Sequence, residues 1–171
     1  KDLSHVRKLD LSWNEITDEG LGALAGLGSL MGLKHLILNA NQIGDEGARS
    51  LAASKNLPNL ESIELTNNQV SDYGALSLVK SQTLLSLEFL DLEMNKVGQQ
   101  KLTRFPDGAV VSKLRVLNLR RNFMGDENIA DWAQSGAFEK VVHLNLGWNQ
   151  ITSQGARVLA NSPTLNQLED L

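Results

Sequence analysis

Six times along this chain the same spacing returns: an aliphatic residue, two spacers, a second aliphatic, one spacer, a leucine, two spacers and an asparagine. The copies run from Val6 to Asn14, Leu33 to Asn41, Leu60 to Asn68, Leu87 to Asn95, Leu114 to Asn122 and Val141 to Asn149. Each begins 27 residues after the last, with no insertion. Self-similarity at such a period marks a solenoid, in which no unit can bury its apolar face alone and stacking creates the core.

The unit has two halves. In Leu9-Asp10-Leu11 and Leu90-Asp91-Leu92 apolar and polar residues alternate, the pattern of a half-buried strand. Downstream, Ile16, Leu21, Leu24 and Leu27 recur at three to five residues, as one face of a helix does. The helical half opens on Asp18-Glu19-Gly20, Asp45-Glu46-Gly47, Asp72-Tyr73-Gly74 or Asp126-Glu127-Asn128 and carries apolar pairs such as Leu24-Ala25, Leu51-Ala52 and Leu159-Ala160. The aspartate suits an N-cap or first turn, where it meets orphan amides and the helix dipole. Glycine is a poor helix former, so its return as Gly20, Gly47, Gly74 and Gly155 predicts positions where neighbouring units leave no room for a Cβ.

On these motifs the chain resembles the leucine-rich repeat family over nearly all its length. The second half of the unit looks like the ribonuclease-inhibitor type and its bacterial relatives. The resemblance implies an α/β leucine-rich repeat solenoid with a parallel sheet on the concave face and helices on the convex face. Spacing demands the same curvature, since strands stack ~4.8 Å apart and helices roughly 8–10 Å apart. We expect one domain of six units, at about 6–32, 33–59, 60–86, 87–113, 114–140 and 141–167, with the start of a seventh at 168–171. The chain opens on Lys1 without a visible polar cap, and the seventh unit stops before its asparagine, which points to a fragment of a longer array.

The six asparagines are expected to form a buried ladder, their amides serving backbone groups that the turn leaves unpaired. Two units depart from the pattern. The fourth has Lys101 in place of the glycine and Phe105-Pro106 in place of the apolar pair, with Asp107-Gly108 beyond, so a shortened convex segment is expected there. The fifth has Asn128 for the glycine and Trp132 for the leucine. Both read either as drift on a tolerant surface or as a convex-side contact around Lys101 to Asp107.

Composition removes whole function classes. Twenty acidic against 16 basic side chains argue against a phosphate-backbone binder, so no nucleic-acid partner is expected. There is no cysteine, and the histidines are only His5, His35 and His143. His35 and His143 share a column but lie four strands apart, ~19 Å at sheet spacing, too far to share a metal. No nucleophile elbow or phosphate loop is present, so neither enzyme activity nor a cofactor is expected. No apolar run reaches the ~18 residues of a membrane span. A cytoplasmic location is expected, with a secreted bacterial effector as the alternative.

Between the framework residues run four variable columns of outward-facing side chains. They supply the candidate partner-binding residues: Lys8, His35 and Phe89 before the central aliphatic, and Asp10, Glu64 and Asp91 after it. Glu93 and Arg120 follow, and then Trp13, Met94, Arg121 and Trp148 beside the asparagine. Asp10, Glu64, Asp91 and Glu93 make an acidic tract, and Arg120 with Arg121 a basic spot. Trp and Arg are the types enriched at interface hot spots. A tryptophan in this place also has a purely structural reading, as a cover for the next loop. The expected function is a non-enzymatic protein-recognition module whose partner has a basic or mixed-charge surface. The alternative is the substrate-recognition segment of a larger enzyme or regulator, such as a ubiquitin-ligase effector or a GTPase-activating protein.

Overall fold

The structure, a computed structural model, describes residues 2–100 and 113–171. Six strands form one open parallel sheet in sequence order: β1 (Lys8–Asp10), β2 (His35–Ile37), β3 (Ser62–Glu64), β4 (Phe89–Asp91), β5 (Val116–Asn118) and β6 (His143–Asn145). Lys8 pairs with His35, His35 with Ser62, and so on to Val116 with His143. Asp170 continues the register as an isolated bridge to His143. Helices α1 (Asp18–Ala25), α2 (Asp45–Ala52), α3 (Asp72–Val79), α4 (Asp126–Gln134) and α5 (Ser153–Ala160) stack on the other side. This is the expected α/β repeat solenoid.

Burial shows that the units depend on each other. Leu33, Leu36 and Leu38 of the second unit are fully buried, whereas their counterparts Val6, Leu9 and Leu11 in the first are only partly covered. A unit with a neighbour on one side cannot close its own core.

Four of the six strands, β1, β4, β5 and β6, bend out of the sheet in a similar way. Asp10, Asp91, Asn118 and Asn145 accept a hydrogen bond from the backbone amide two residues on, at Ser12, Glu93, Arg120 and Gly147. Such a side chain mimics a turn and leads the chain away from extended structure. The residue before each asparagine is then left-handed: Trp13, Ala40, Asn67, Met94, Arg121 and Trp148 have φ between 52° and 59°. That reversal tucks the asparagine beneath the turn.

The asparagine ladder is present. Asn68 Nδ2 donates to Leu38 O at 2.9 Å and Leu65 O at 3.1 Å, while its Oδ1 accepts from Ile43 N at 3.0 Å. Asn41, Asn95, Asn122 and Asn149 repeat the pattern, so each amide ties its own turn to the preceding one. Among the described residues, every buried side-chain polar atom has a hydrogen-bond partner.

A second ladder refines the reading of the helix-opening aspartates, which lie in the first turn as expected. They do not cap their own helices, whose N-caps are Thr17, Gly44, Ser71, Gly125 and Thr152. Each reaches into the following unit instead. Asp18 accepts from Gly44 N, Asp45 from Ser71 N, Ser71 Oγ and Gly74 N, Asp72 from Gly98 N, and Asp126 from Thr152 N and Oγ1. The bonds from Thr152 hold the Asp126 carboxyl below its ordinary value, the hydroxyl contributing most.

The recurrent glycine is the complement of that carboxylate. A Cβ on Gly74 would sit 2.6 Å from Asp45 Oδ1, and one on Gly47 2.7 Å from Asp18 Oδ1. The fourth unit has Gln99 in the aspartate position, and the fifth has Asn128 in the glycine position. Asn128 Oδ1 there accepts from Gly125 N at 3.0 Å, the amide that a preceding aspartate would have taken. At that joint the carboxylate and the glycine are absent together, whereas at the joint before it Asp72 remains although Lys101 replaces the glycine.

This sets the sign of a substitution. Glycine to alanine inside a helix ordinarily gains ~1 kcal/mol. Gly74→Ala is instead expected to cost about 1–3 kcal/mol, because a methyl must displace a hydrogen-bonded carboxylate. Gly20→Ala, whose new Cβ would meet only Ile16 Cγ2 at 3.2 Å, should cost less. Urea unfolding of the two variants measures the difference.

Trp132 overturns the surface-drift reading of the fifth unit. It has no solvent exposure, stacks on Phe138 with ring centroids 5.8 Å apart, and donates from Nε1 to Asp72 Oδ1 at 3.0 Å. The bond joins α4 of the fifth unit to α3 of the third, 60 residues away. The contact expected around Lys101 to Asp107 lies outside the described residues.

Candidate partner-binding surface

The variable columns cross the strands side by side, so the sheet register fixes which residues meet. Glu64 sits opposite Asp91 and Asp91 opposite Asn118. Asp10 stands apart, because the intervening Ile37 is only 8% exposed and breaks the acidic tract. Lys8 is exposed on β1, and His35 and Phe89 are half-buried on β2 and β4.

Most of the acidic side chains already have partners within the chain. Asp10 accepts from the hydroxyl and amide of Ser12, which hold its carboxyl below the usual range. Glu64 accepts from Asn39 Nδ2 at 3.0 Å, and Asp91 takes both the Glu93 amide and Asn118 Nδ2. Glu93 is held by Arg120 at 2.7 Å, with Arg121 at 3.7 Å. The tract is therefore a fixed polar floor more than a set of free charges.

The last two columns behave differently. Arg120 and Arg121 place their guanidinium carbons 5.9 and 5.3 Å from the Trp148 ring centroid, and Arg121 Nη1 lies 3.9 Å from Met94 Sδ. Glu93, Met94, Arg120, Arg121 and Trp148 thus form one cluster at the loop edge of units four to six. Each Arg–Trp contact is worth roughly 0.5–1 kcal/mol at an exposed site and orients both side chains. Trp13 does not join them: it stands three strand spacings from Met94 and five from Trp148, ~14 and ~24 Å, with Lys8 and Asp10. The sequence places Trp13, Met94, Arg121 and Trp148 in one column but carries no signal for the left-handed backbone that lifts them to the edge.

Neither tryptophan covers a loop. Trp13 is 84% exposed and Trp148 is 73% exposed, both at positive φ. A bulky side chain in that conformation costs about 1 kcal/mol or more, which glycine would not incur. Trp13→Gly is therefore expected to leave stability unchanged or raise it by ~1 kcal/mol. A melting temperature well below wild type would show that Trp13 serves the fold.

Among the described residues, no group of three or more His, Asp or Glu side chains could hold a metal ion. No described helix is long and apolar enough to cross a membrane.

Comparison with solved structures finds the same fold in several proteins. The chain is similar to Listeria monocytogenes InlP, with 23% identity and a TM-score of 0.60 over 91% of this chain and 38% of that one. An internalin, InlF, from Listeria monocytogenes matches at 22% identity and a TM-score of 0.52, over 98% of this chain and 48% of that one. A leucine-rich repeat protein of Leptospira interrogans matches at 22% identity and 0.59, over 99% and 38%. The chain thus spans less than half the length of each. No curated protein matches it significantly. The family model described as "Leucine Rich repeat" matches residues 2–25, 31–52, 56–79 and 139–160, more than half of the sequence. The chain belongs to the leucine-rich repeat family, whose members generally mediate protein–protein interaction and are typically not enzymes.

Proposed function

We propose that this chain is a non-enzymatic recognition module that binds a protein partner along its concave face and loop edge. One observation carries the reading: Trp13 and Trp148 are exposed and sit in a backbone conformation that disfavours them. Large aromatic side chains that stay outside the core are the anchors expected of an interface. The polar floor between them, with Asp10, Glu64 and Asp91, suits a basic or mixed-charge partner surface and sets orientation more than affinity. That the chain spans less than half of its structural neighbours favours a second reading, in which it is the recognition segment of a larger enzyme or regulator.

The test compares proteins captured by the wild-type chain with those captured by a Trp13→Ala, Trp148→Ala, Asp91→Ala variant. Capture is expected to fall at least tenfold, since hot-spot truncations cost about 2 kcal/mol or more each. A control variant carries Met31→Ala and Leu85→Ala, two exposed apolar residues outside the strands. Equal capture by the triple variant and wild type, or loss in the control alone, would refute the proposal.

A further inference from the structure

Phe89, Val116 and His143 open strands β4, β5 and β6. With Asn118, Asn145 and Asp170 they line a cavity of about 400 Å³. Its apolar lining is the half-buried Phe89 and Val116 together with Leu117, Leu144 and the exposed Leu171. Its polar groups are unevenly used. Asn118 is fully engaged, its Oδ1 by Arg120 N and its Nδ2 by both oxygens of Asp91 at 3.1 Å. Asn145 Oδ1 is taken by Gly147 N, while its Nδ2 has no acceptor among the described residues. The Asp170 carboxylate lies 3.9 Å from His143 Nδ1, beyond a direct hydrogen bond, and is largely exposed. Among the described residues no lysine or arginine lines the cavity, and a second carboxylate, Asp91, stands directly behind Asn118.

We propose that this cavity is a subsite for an arginine side chain of the protein partner. The assignment rests on the concave-face reading given above. An arginine fits the order of these groups along the column: its aliphatic stem lies against Phe89 and Val116, and its fork reaches past His143 to donate to Asp170. The adjoining backbone carbonyl of the partner meets Asn145 Nδ2. A leucine would fill the apolar wall but press its methyls against Asp170 and Asn145, which would lose water without gaining a partner. A glutamate would face two carboxylates at once.

Titration of the isotope-labelled chain with N-acetyl-arginine amide, followed by amide NMR shifts, tests this directly. N-acetyl-leucine amide and N-acetyl-glutamate amide are the comparators. The arginine amide is expected to shift the Asn145 side-chain amide and the Phe89 and Val116 backbone signals saturably, at least about threefold more tightly than the leucine amide, the scale of one exposed ion pair. Asp170→Asn should weaken it by about the same factor, and Val116→Arg, which fills the cavity from within, should abolish the shifts while leaving the rest of the spectrum folded. Equal or tighter binding of the leucine amide, an Asp170→Asn variant that binds as wild type, or no saturable shift at Asn145 overturns the assignment. The two readings fail separately. If arginine preference is absent while the Trp13 and Trp148 variants still lose partner capture, the subsite alone falls. If those variants capture as wild type does, the concave-face reading falls, and the subsite within a partner interface falls with it.

Discussion

Asn68→Ala is expected to lower the melting temperature by about 6–12 °C, corresponding to a loss of roughly 3 kcal/mol in a chain of this size. The truncation removes four hydrogen bonds and strands Leu38 O, Leu65 O and Ile43 N in a buried turn, while Thr66 O keeps Ala40 N. Groups abandoned without water cost more than the bonds themselves contribute. Asn14→Ala is the internal comparison. Asn14 occupies the same position in the first unit but is exposed and donates only to Leu11 O and Ser12 O of its own turn. Its loss should cost well under half as much. Equal melting temperatures for the two variants would disprove the claim that the ladder works by joining units.

The second large effect is expected at Trp132. Trp132→Ala should cost about 3–5 kcal/mol through the cavity it opens beside Phe138. Trp132→Phe isolates the other contribution, since an aromatic ring stays and the donor to Asp72 is lost. Burial raises the Asp72 carboxyl above its ordinary 3.8, against the lowering effect of the bonds from Trp132 and Gly98. An acid whose folded value is raised favours folding most when protonated. Its contribution is fully present below about 3.8 and is lost as pH rises through the higher folded value. Without the Trp132 donor the folded value rises further, so Trp132→Phe should cost roughly 1.5–3 kcal/mol near neutral pH and progressively less toward pH 4. Urea unfolding across that range reads the slope. A penalty independent of pH would mean that Asp72 does not feel the indole N–H.

The frame was legible because it depends on period alone. A 27-residue repeat with aliphatics at fixed offsets places Leu36, Ile63 and Leu90 in one core column, and it places the asparagines where turns need an amide. What stayed hidden depends on contacts across the repeat. Asp45 looks like an ordinary first-turn acid, since nothing local shows that its oxygens belong to Ser71 and Gly74. Trp132 looks like a surface substitution, because its partner Asp72 lies two units back. Asp10 and Asp91 look like recognition residues, yet both also form turns. The left-handed column carried no warning: of its six members only Asn67 is a type that favours positive φ.

The pairing of aspartate with the next unit's glycine gives the array a grammar. The first, second and fifth units each carry a tongue on the trailing side that meets a groove in the next unit, and the two are inherited on different copies of the repeat. Duplicating the second unit beside itself would add one more matched joint. Placing the fifth unit after the second would bring Asn128 against Asp45, and the joint would fail although both units fold well elsewhere. Length in such a protein can change freely only where tongue meets groove, so the two junctions of the fourth unit, Asp72 with Lys101 and Gln99 with Asn128, are a seam at which this array follows a different rule.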